Sequence, residues 1–468
     1  MTTADRTGGG QAGGGLGDAD VARLRQRLRG HVVLPEDDAY DDARRVWNGM
    51  VDRRPAMVVY CATPDDAAEV VAAARSGELP LAVRSGGHNV AGSSVCDGGI
   101  VADLSPMKAI AVDPGRRIAR AEAGVTLGEF DRATQAHGLA TTMGVVSGTG
   151  IAGLTLGGGF GKLGRRHGLA CDNLVAADVV TADGHRVRAS ADENADLFWA
   201  LRGGGGNFGI VTAFEYRLHP VGPDVLAGSL LYDFDQAGQV LPAAYDLARN
   251  APDEVSVDIA LVMAEPGRPV LSVSPFFAGD IEEGRRALEP FQRLGSPLED
   301  SIAPVPYLQV QSSGDSVFPP GRRYYWKAQY LDEPGDEAFE TLLERFAAAP
   351  AAGCLAVLQQ VGGAIARVPA GDTPYGNRGA AYDCFPVAIW DDPAEDEVNV
   401  RWARELWAAM QPYSTGGVYA NNLGDEGDER VRAAFGDNYR RLAEIKRQYD
   451  PTNLFRLNQN VRPAAGDA

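Results

Sequence analysis

Three glycine-dense stretches in the first half of the chain limit what can form there: RSGGHNVAG (84–92), SGTGIAGLTLGGGFGKLGRRHGLACDNL (147–174) and DLFWALRGGGGNFGIVT (196–212). Glycine serves where backbone must approach something closely or adopt positive φ, and it weakens helices and strands. Gly148-x-Gly150-x-x-Gly153 meets the dinucleotide-loop spacing, with Asp172 near the expected acidic position. Its context does not fit: such a loop follows an apolar strand and opens a helix, whereas TTMGVVS is a poor strand and LTLGGGFG is not expected to hold a helix. A P-loop fails too, because Leu156 replaces its first glycine and Leu163 its Ser/Thr. What remains is a non-helical stretch laid against a large planar or pyrophosphate ligand, with amides as donors. Interleaved Ile151, Leu154, Leu156 and Phe160 argue for packing rather than a flexible linker. His88, one of only six histidines, sits between a glycine pair and an asparagine. Alone it fits an anion, a metal, a catalytic partner or a tight turn. With no H-x-x-H or HExxH pattern, and only His137 and His167 as near candidates, no metal site is expected.

At 468 residues the chain is expected to hold more than one domain. Short apolar runs at hairpin spacing alternate with helices up to HPVGPD (219–224): MVVY, LAVR, IVADL, KAIAV, RIARAEA, LVAADVV and NFGIVTAFEYRL, with helices over 64–75 and 127–136. Beyond it glycine clusters thin out. Strands VLAGSLLYDF, EVSVDIALVMA, RRYYWKAQYL and LAVLQQVGG alternate with helices near 235–249, 281–293, 336–348 and 394–411. A long helix is predicted over 428–449. The fold class is α+β. The expected divisions are a disordered tail over 1–18, a first domain over 19–220 in two parts (19–110 and 111–220), an antiparallel sheet backed by helices over 221–412, and a segment over 413–468 returning to the first domain. A net charge of −19 disfavours nucleic-acid and membrane partners. Five cysteines without a CxxC pair, and a start with no apolar leader, suggest a reducing cytoplasm.

In order and spacing these stretches, with YDPTNLFRLNQNVRP (449–463), resemble the berberine-bridge-enzyme-like branch of the vanillyl-alcohol-oxidase flavoproteins, over about residues 20–463. The resemblance implies a two-part FAD-binding domain of the PCMH type plus a substrate domain. His88 matches the histidine that bonds covalently to the 8α-methyl of FAD. The loop Arg84, Ser85, Gly86, Gly87, His88, Asn89, Gly92 and Ser93 would face the pyrophosphate. Gly124, Gly144, Val145, Gly148, Thr149, Gly150, Gly153, Gly157, Gly158 and Gly161 would bind FAD as well, as would Gly206, Asn207, Gly209, Ile210 and Val211. From the C-terminal segment, Tyr419, Asn421, Asn458 and Asn460 would join them.

Two departures bear on the chemistry. Relatives with a second, cysteinyl link carry G-V-C-P-T, where this chain reads Gly144-Val145-Val146-Ser147-Gly148; the implied attachment is through His88 alone. Relatives with Y-x-N-Y use the last tyrosine as base, where this chain has Asn422, which cannot deprotonate a hydroxyl near neutral pH. Tyr324 and Tyr325 point to opposite faces of a predicted strand, so one could line the cleft. Gln359 or Gln360 would orient substrate. The candidate catalytic residues are Tyr324, Tyr325, Gln360 and Asn422, with the base unassigned. Thr149, where oxygen-reactive relatives keep a small residue, favours an oxidase that passes hydride from an alcohol, phenolic or secondary metabolite to FAD and then to O2, giving H2O2. The alternatives are a dehydrogenase, an oxygenase (disfavoured by Val357 where such a relative has its acid) and a flavin carrier without turnover. A monomer or homodimer is expected.

Overall fold

The computed structural model describes residues 16–466. Most of the expected tail therefore lies outside the described residues, and Asp18 already opens the helix Asp18–Arg27. Three sheets carry the fold.

In the first, strands run in the order His31–Val33, Met57–Tyr60, Ile100–Asp103 and Leu81–Arg84. Met57–Tyr60 and Leu81–Arg84 both lie parallel to Ile100–Asp103, so the helix Pro64–Ser76 is a crossover and not a hairpin connection. Its start is written locally. Pro64 fixes the first helical φ, Thr63 Oγ1 accepts from the Asp66 amide at 3.2 Å, and Asp66 accepts from the Thr63 amide at 3.2 Å. The same buried carboxylate also accepts the amides of Arg29, Gly30 and Ala62, which fastens the preceding loop to the helix.

The second sheet is antiparallel throughout, in the order Ile110–Asp113, Ile118–Glu122, Ile210–Arg217, Leu174–Val180, Arg186–Ser190. Here the hairpin spacing read from the sequence holds.

The third is a ten-stranded antiparallel sheet. Its centre contains two strands the sequence reading passed over, Arg268–Phe277 and Tyr382–Trp390. Both carry proline (Pro269, Pro275, Pro386), which argues against a central strand when only sequence is considered. Helices Ala237–Arg249, Ile281–Gln292, Asp336–Phe346 and Asp396–Met410 bury one face of this sheet, with Val240, Leu288, Leu342 and Leu406 packed on Ile259, Leu261 and Ala388. The other face looks toward the first two sheets.

Two more local expectations change. Ile151–Leu156 forms a helix after all, because Ile151, Ala152 and Leu156 bury into the main apolar cluster; the chain leaves helix at the glycines that follow. The long helix over 428–449 breaks into Asp428–Phe435 and Tyr439–Tyr449 at Gly436, whose φ of 53° lies in the left-handed region. Val418, Leu423, Phe435, Leu442, Phe455 and Val461 join the same apolar cluster as residues of the first two sheets. Among the described residues no helix is long and apolar enough to cross a membrane.

Candidate active site

A cavity of about 390 Å³ opens between the glycine segments and the uncovered face of the large sheet, within the range of small-molecule and cofactor sites. The glycine segments form one side, where backbone at the glycines reaches the surface between side chains such as His88, Asn89, Val145, Thr149 and Leu154. A methyl group on Gly86 would come within 2.3 Å of the Gly150 amide, and one on Gly150 within 2.2 Å of Ser85 Oγ. The loop after Leu81–Arg84 and the segment before the helix Ile151–Leu156 therefore interlock only as glycines. Ser85 Oγ donates to Ala123 O at 2.6 Å and pins the loop to the second sheet. The amides of Gly86, Gly87 and Asn89 donate to no protein acceptor among the described residues. Gly153 lines the same cavity and has open space where a Cβ would stand.

Of the residues expected to bind cofactor, the cavity wall includes Ser85, Gly86, Gly87, His88, Asn89, Ser93, Gly144, Val145, Thr149, Gly150, Gly153, Gly157, Gly206, Gly209, Val211, Tyr419, Asn421 and Asn458. Nine others stand behind it. Arg84 is buried in an ion pair with Asp103 at 2.6 Å and donates to the carbonyls of Ala43 and Arg45. Gly124 and Gly161 press on the carbonyls of Leu104 and Met143. Gly92, Gly148 and Gly158 turn the chain without facing the cavity, and Ile210 is core. Asn207 is spent on the C-terminal segment, donating to Gln459 O at 3.1 Å and accepting from Val461 N at 2.9 Å. Asn460 is off the wall, its Oδ1 buried without a partner among the described residues.

The His88 ring stacks on Trp47, and burial lowers its pKa to about 4, so it is neutral at neutral pH. Tyr419 is not a base. Its hydroxyl accepts from Gly159 N at 2.9 Å and Asn421 Nδ2 at 2.8 Å, and burial pushes its pKa up.

Strand parity writes the opposite wall. Gln359, Phe385, Val387 and Trp326 face the cavity, with Phe318 from a loop beside them. Their neighbours face the helices. Gln360 accepts from Val257 N at 3.0 Å and donates to Ala248 O at 2.6 Å, so it braces the sheet and touches nothing in the cavity. Tyr325 likewise turns outward, its hydroxyl accepting from Arg404 Nε at 2.9 Å. Tyr324 is on the cavity side of its strand but is covered by Trp47, with its hydroxyl donating to Pro319 O. Neither tyrosine, nor Gln360, lines the cavity.

Asn422 does line it, and its Nδ2 donates at 2.7 Å to Oδ2 of Asp383, a residue the sequence reading missed. Asp383 is fully buried and its Oδ1 has no partner among the described residues. Burial raises its pKa to about 7, the Asn422 bond opposing only part of that shift. A carboxyl poised there has the proton affinity a general base needs near neutral pH.

Whether FAD fits is answered by the donors present. Free loop amides, a wall opened by glycines, and Ser94 Oγ and Asn458 Oδ1, buried without a partner among the described residues, suit a large polar-edged planar ligand. The comparisons agree: residues 55–190 match the family described as FAD binding domain, and residues 418–462 the family described as berberine and berberine like. The fold and site are those of an FAD-dependent oxidoreductase. The chain is 31% identical over 449 residues to an FAD-linked oxidoreductase of Dictyostelium discoideum, covering 95% of this chain and 97% of that one. It is 32% identical to (R)-6-hydroxynicotine oxidase of Paenarthrobacter nicotinovorans, covering 93% and 97%. The crystal structure of 6-hydroxy-D-nicotine oxidase from Arthrobacter nicotinovorans superposes with a TM-score of 0.86 at 30% identity, over 93% of this chain and 98% of that one. The chain belongs to the berberine-bridge-enzyme-like family of FAD-linked oxidoreductases.

Proposed function

We propose that this enzyme is an oxidase carrying FAD tethered at His88, and that it oxidises a neutral, flat, largely apolar substrate bearing a weakly acidic O–H or N–H beside the reacting C–H. One observation carries the substrate side: the sheet wall of Trp326, Phe318, Phe385, Val387, Gln359 and Asn422 presents no charged side chain, while a single carboxyl, Asp383, waits behind Asn422. FAD bound against the glycine wall supplies a two-electron acceptor for the substrate hydride, and O2 then takes the electrons to give H2O2.

The chain's own groups do the rest. The aromatic wall holds the substrate plane, and Gln359 and Asn422 offer amides to its polar edge. Asp383, ionised above about pH 7, takes the substrate proton directly beside the Asn422 amide, which holds its other oxygen. This answers the absence of a tyrosine at position 422, because the proton acceptor sits one residue deeper. The neutral His88 ring can bond to the 8α-methyl of FAD, and Val146 leaves no second attachment point. Thr149, small and on the cavity wall, leaves room for O2. The hydroxynicotine oxidase among the relatives supports oxidase chemistry on a ring substrate.

The test is a panel of phenols, benzylic alcohols, hydroxylated heteroaromatic amines and oligosaccharides, added anaerobically while the flavin absorbance is followed. The aromatic members should bleach the flavin, and air should restore the colour with stoichiometric peroxide. Bleaching only by charged or saccharide compounds would overturn the substrate class. Bleaching that air does not reverse would overturn the oxidase reading.

A further inference from the structure

Trp47 lies outside the glycine stretches and outside every catalytic reading of the sequence, yet three rings meet on it. Its indole stacks on the His88 imidazole with centroids 4.2 Å apart and planes 20° from parallel. Its other face stacks on Tyr324 at 3.9 Å and 18°, and Trp326 leans against it at 5.7 Å. The indole is fixed from several directions. Nε1 donates to Phe318 O at 3.0 Å, the main-chain amide donates to Gly87 O at 3.1 Å, and the carbonyl accepts from Gly321 N at 2.9 Å. Asn48, the next residue, donates to the carbonyls of Val90 and Tyr324 at 2.9 Å each, and its Oδ1 accepts from the amides of Met50 and Tyr324. Residues 47–48 thus staple the loop carrying His88 to the edge strand Arg323–Trp326 of the large sheet.

A loop histidine has a broad χ2 well, so its ring plane is ordinarily free to swing. Bond formation to a carbon centre requires one ring nitrogen to be aimed and held, and orientation of this kind is worth orders of magnitude in rate. Here a flat indole, itself backed by a phenol, dictates the plane of the imidazole. The ring's hydrogen bond is to its own backbone, so the stack on Trp47 is the one aromatic contact from another residue that sets the ring plane.

We propose that Trp47, backed by Tyr324, is the positioning residue for covalent attachment of FAD at His88. The inference rests on the tether proposed above. In the step, a His88 ring nitrogen forms a bond to the 8α carbon while one C–H of that methyl and the imidazole N–H are broken. The two hydrogens and the electron pair pass to the ring system of the cofactor and from there to dioxygen, which leaves as hydrogen peroxide. Trp47, itself on the cavity wall, acts on attachment through His88.

The test separates binding from attachment. Wild type, Trp47→Leu, Trp47→Phe and Tyr324→Leu are prepared flavin-free and incubated with FAD in air. Bound flavin is read by absorbance, and attached flavin by the colour that co-precipitates with protein in acid and by intact mass. Trp47→Leu should bind FAD yet attach it at least ~10-fold more slowly; Trp47→Phe, which keeps a ring, should return to within ~3-fold of wild type; Tyr324→Leu should fall between. Should Trp47→Leu fail to bind FAD, Tyr324→Leu decides: slower attachment supports the proposal and an unchanged rate overturns it. Attachment by Trp47→Leu at the wild-type rate, or Trp47→Phe as slow as Trp47→Leu, overturns the role of the stack alone. Wild-type protein that releases all its flavin in acid overturns the tether, and this proposal with it.

Discussion

The cavity has one wall opened by glycines and one built of sheet side chains, and each answers a different demand. On the glycine side, Gly86, Gly150 and Gly153 bring main chain to the surface and leave amides free, which suits a cofactor that is the same in every turnover. On the sheet side, Phe385, Val387, Trp326 and Gln359 project from a rigid antiparallel frame whose other face is locked under four helices. Side chains there can change without disturbing the frame. On the proposed function, the contrast gives retention of the cofactor to one wall and choice and deprotonation of substrate to the other.

Substitutions that touch only one wall break or sharpen that division. The largest effect is expected from Asp383→Asn: kcat falls by about 10²–10⁴ while bound flavin is unchanged, measured by anaerobic stopped-flow reduction. In wild type, kcat should rise as pH passes about 7, where the carboxyl ionises, and the variant should lose that rise. Stability should move the other way. The folded-state pKa lies above the ordinary value, so the folded state favours the protonated carboxyl, and native stability declines as pH climbs from about 4 to about 7. Asp383→Asn removes that loss, so its Tm relative to wild type should be higher at pH 8 than at pH 4.

Next come paired glycine variants. Gly150→Val meets Ser85 Oγ and the Gly86 amide at under 2.5 Å and should lower stability by about 1–3 kcal/mol or more, with flavin lost. Gly153→Val enters open space, so the flavin-free protein should melt near wild type while FAD binding weakens. Equal melting of both variants would undo the claim that the two glycines serve different ends. Phe385→Ala should raise KM roughly 10-fold, about 1.4 kcal/mol of a buried ring's contact, and leave the flavin spectrum alone. Gln359→Leu should alter KM, whereas Gln360→Leu should leave KM and lower Tm, since Val257 N and Ala248 O lose their partner. Tyr325→Phe should change kcat/KM by less than about 2-fold.

Legibility followed the same division. Backbone that approaches backbone or a cofactor demands glycine, and that demand is written in composition, so RSGGHNVAG and the stretches at 147–161 and 203–209 announced one wall. The other wall depends on strand parity and on which face the helices cover. LAVLQQ leaves Gln359 and Gln360 equivalent until the sheet is seen, and Tyr324 and Tyr325 are misleading for the same reason. Asp383 was invisible because its strand, YDCFPVAIW, reads as a proline-interrupted run, and its partner Asn422 is 39 residues away. Trp47 was missed because nothing local distinguishes it; its importance comes from Tyr324, 277 positions further on.

Asn207 depends on Gln459 and Val461 for its hydrogen bonds, and Lys446, fully buried, donates to Asn207 O, Phe455 O and Asp450. During synthesis the loop over 203–209 therefore emerges with its partners some 240 residues from being made. The loop cannot be locked in place until residues 459–461 are added, so removing residues 457–462 should leave the protein unable to retain a yellow cofactor.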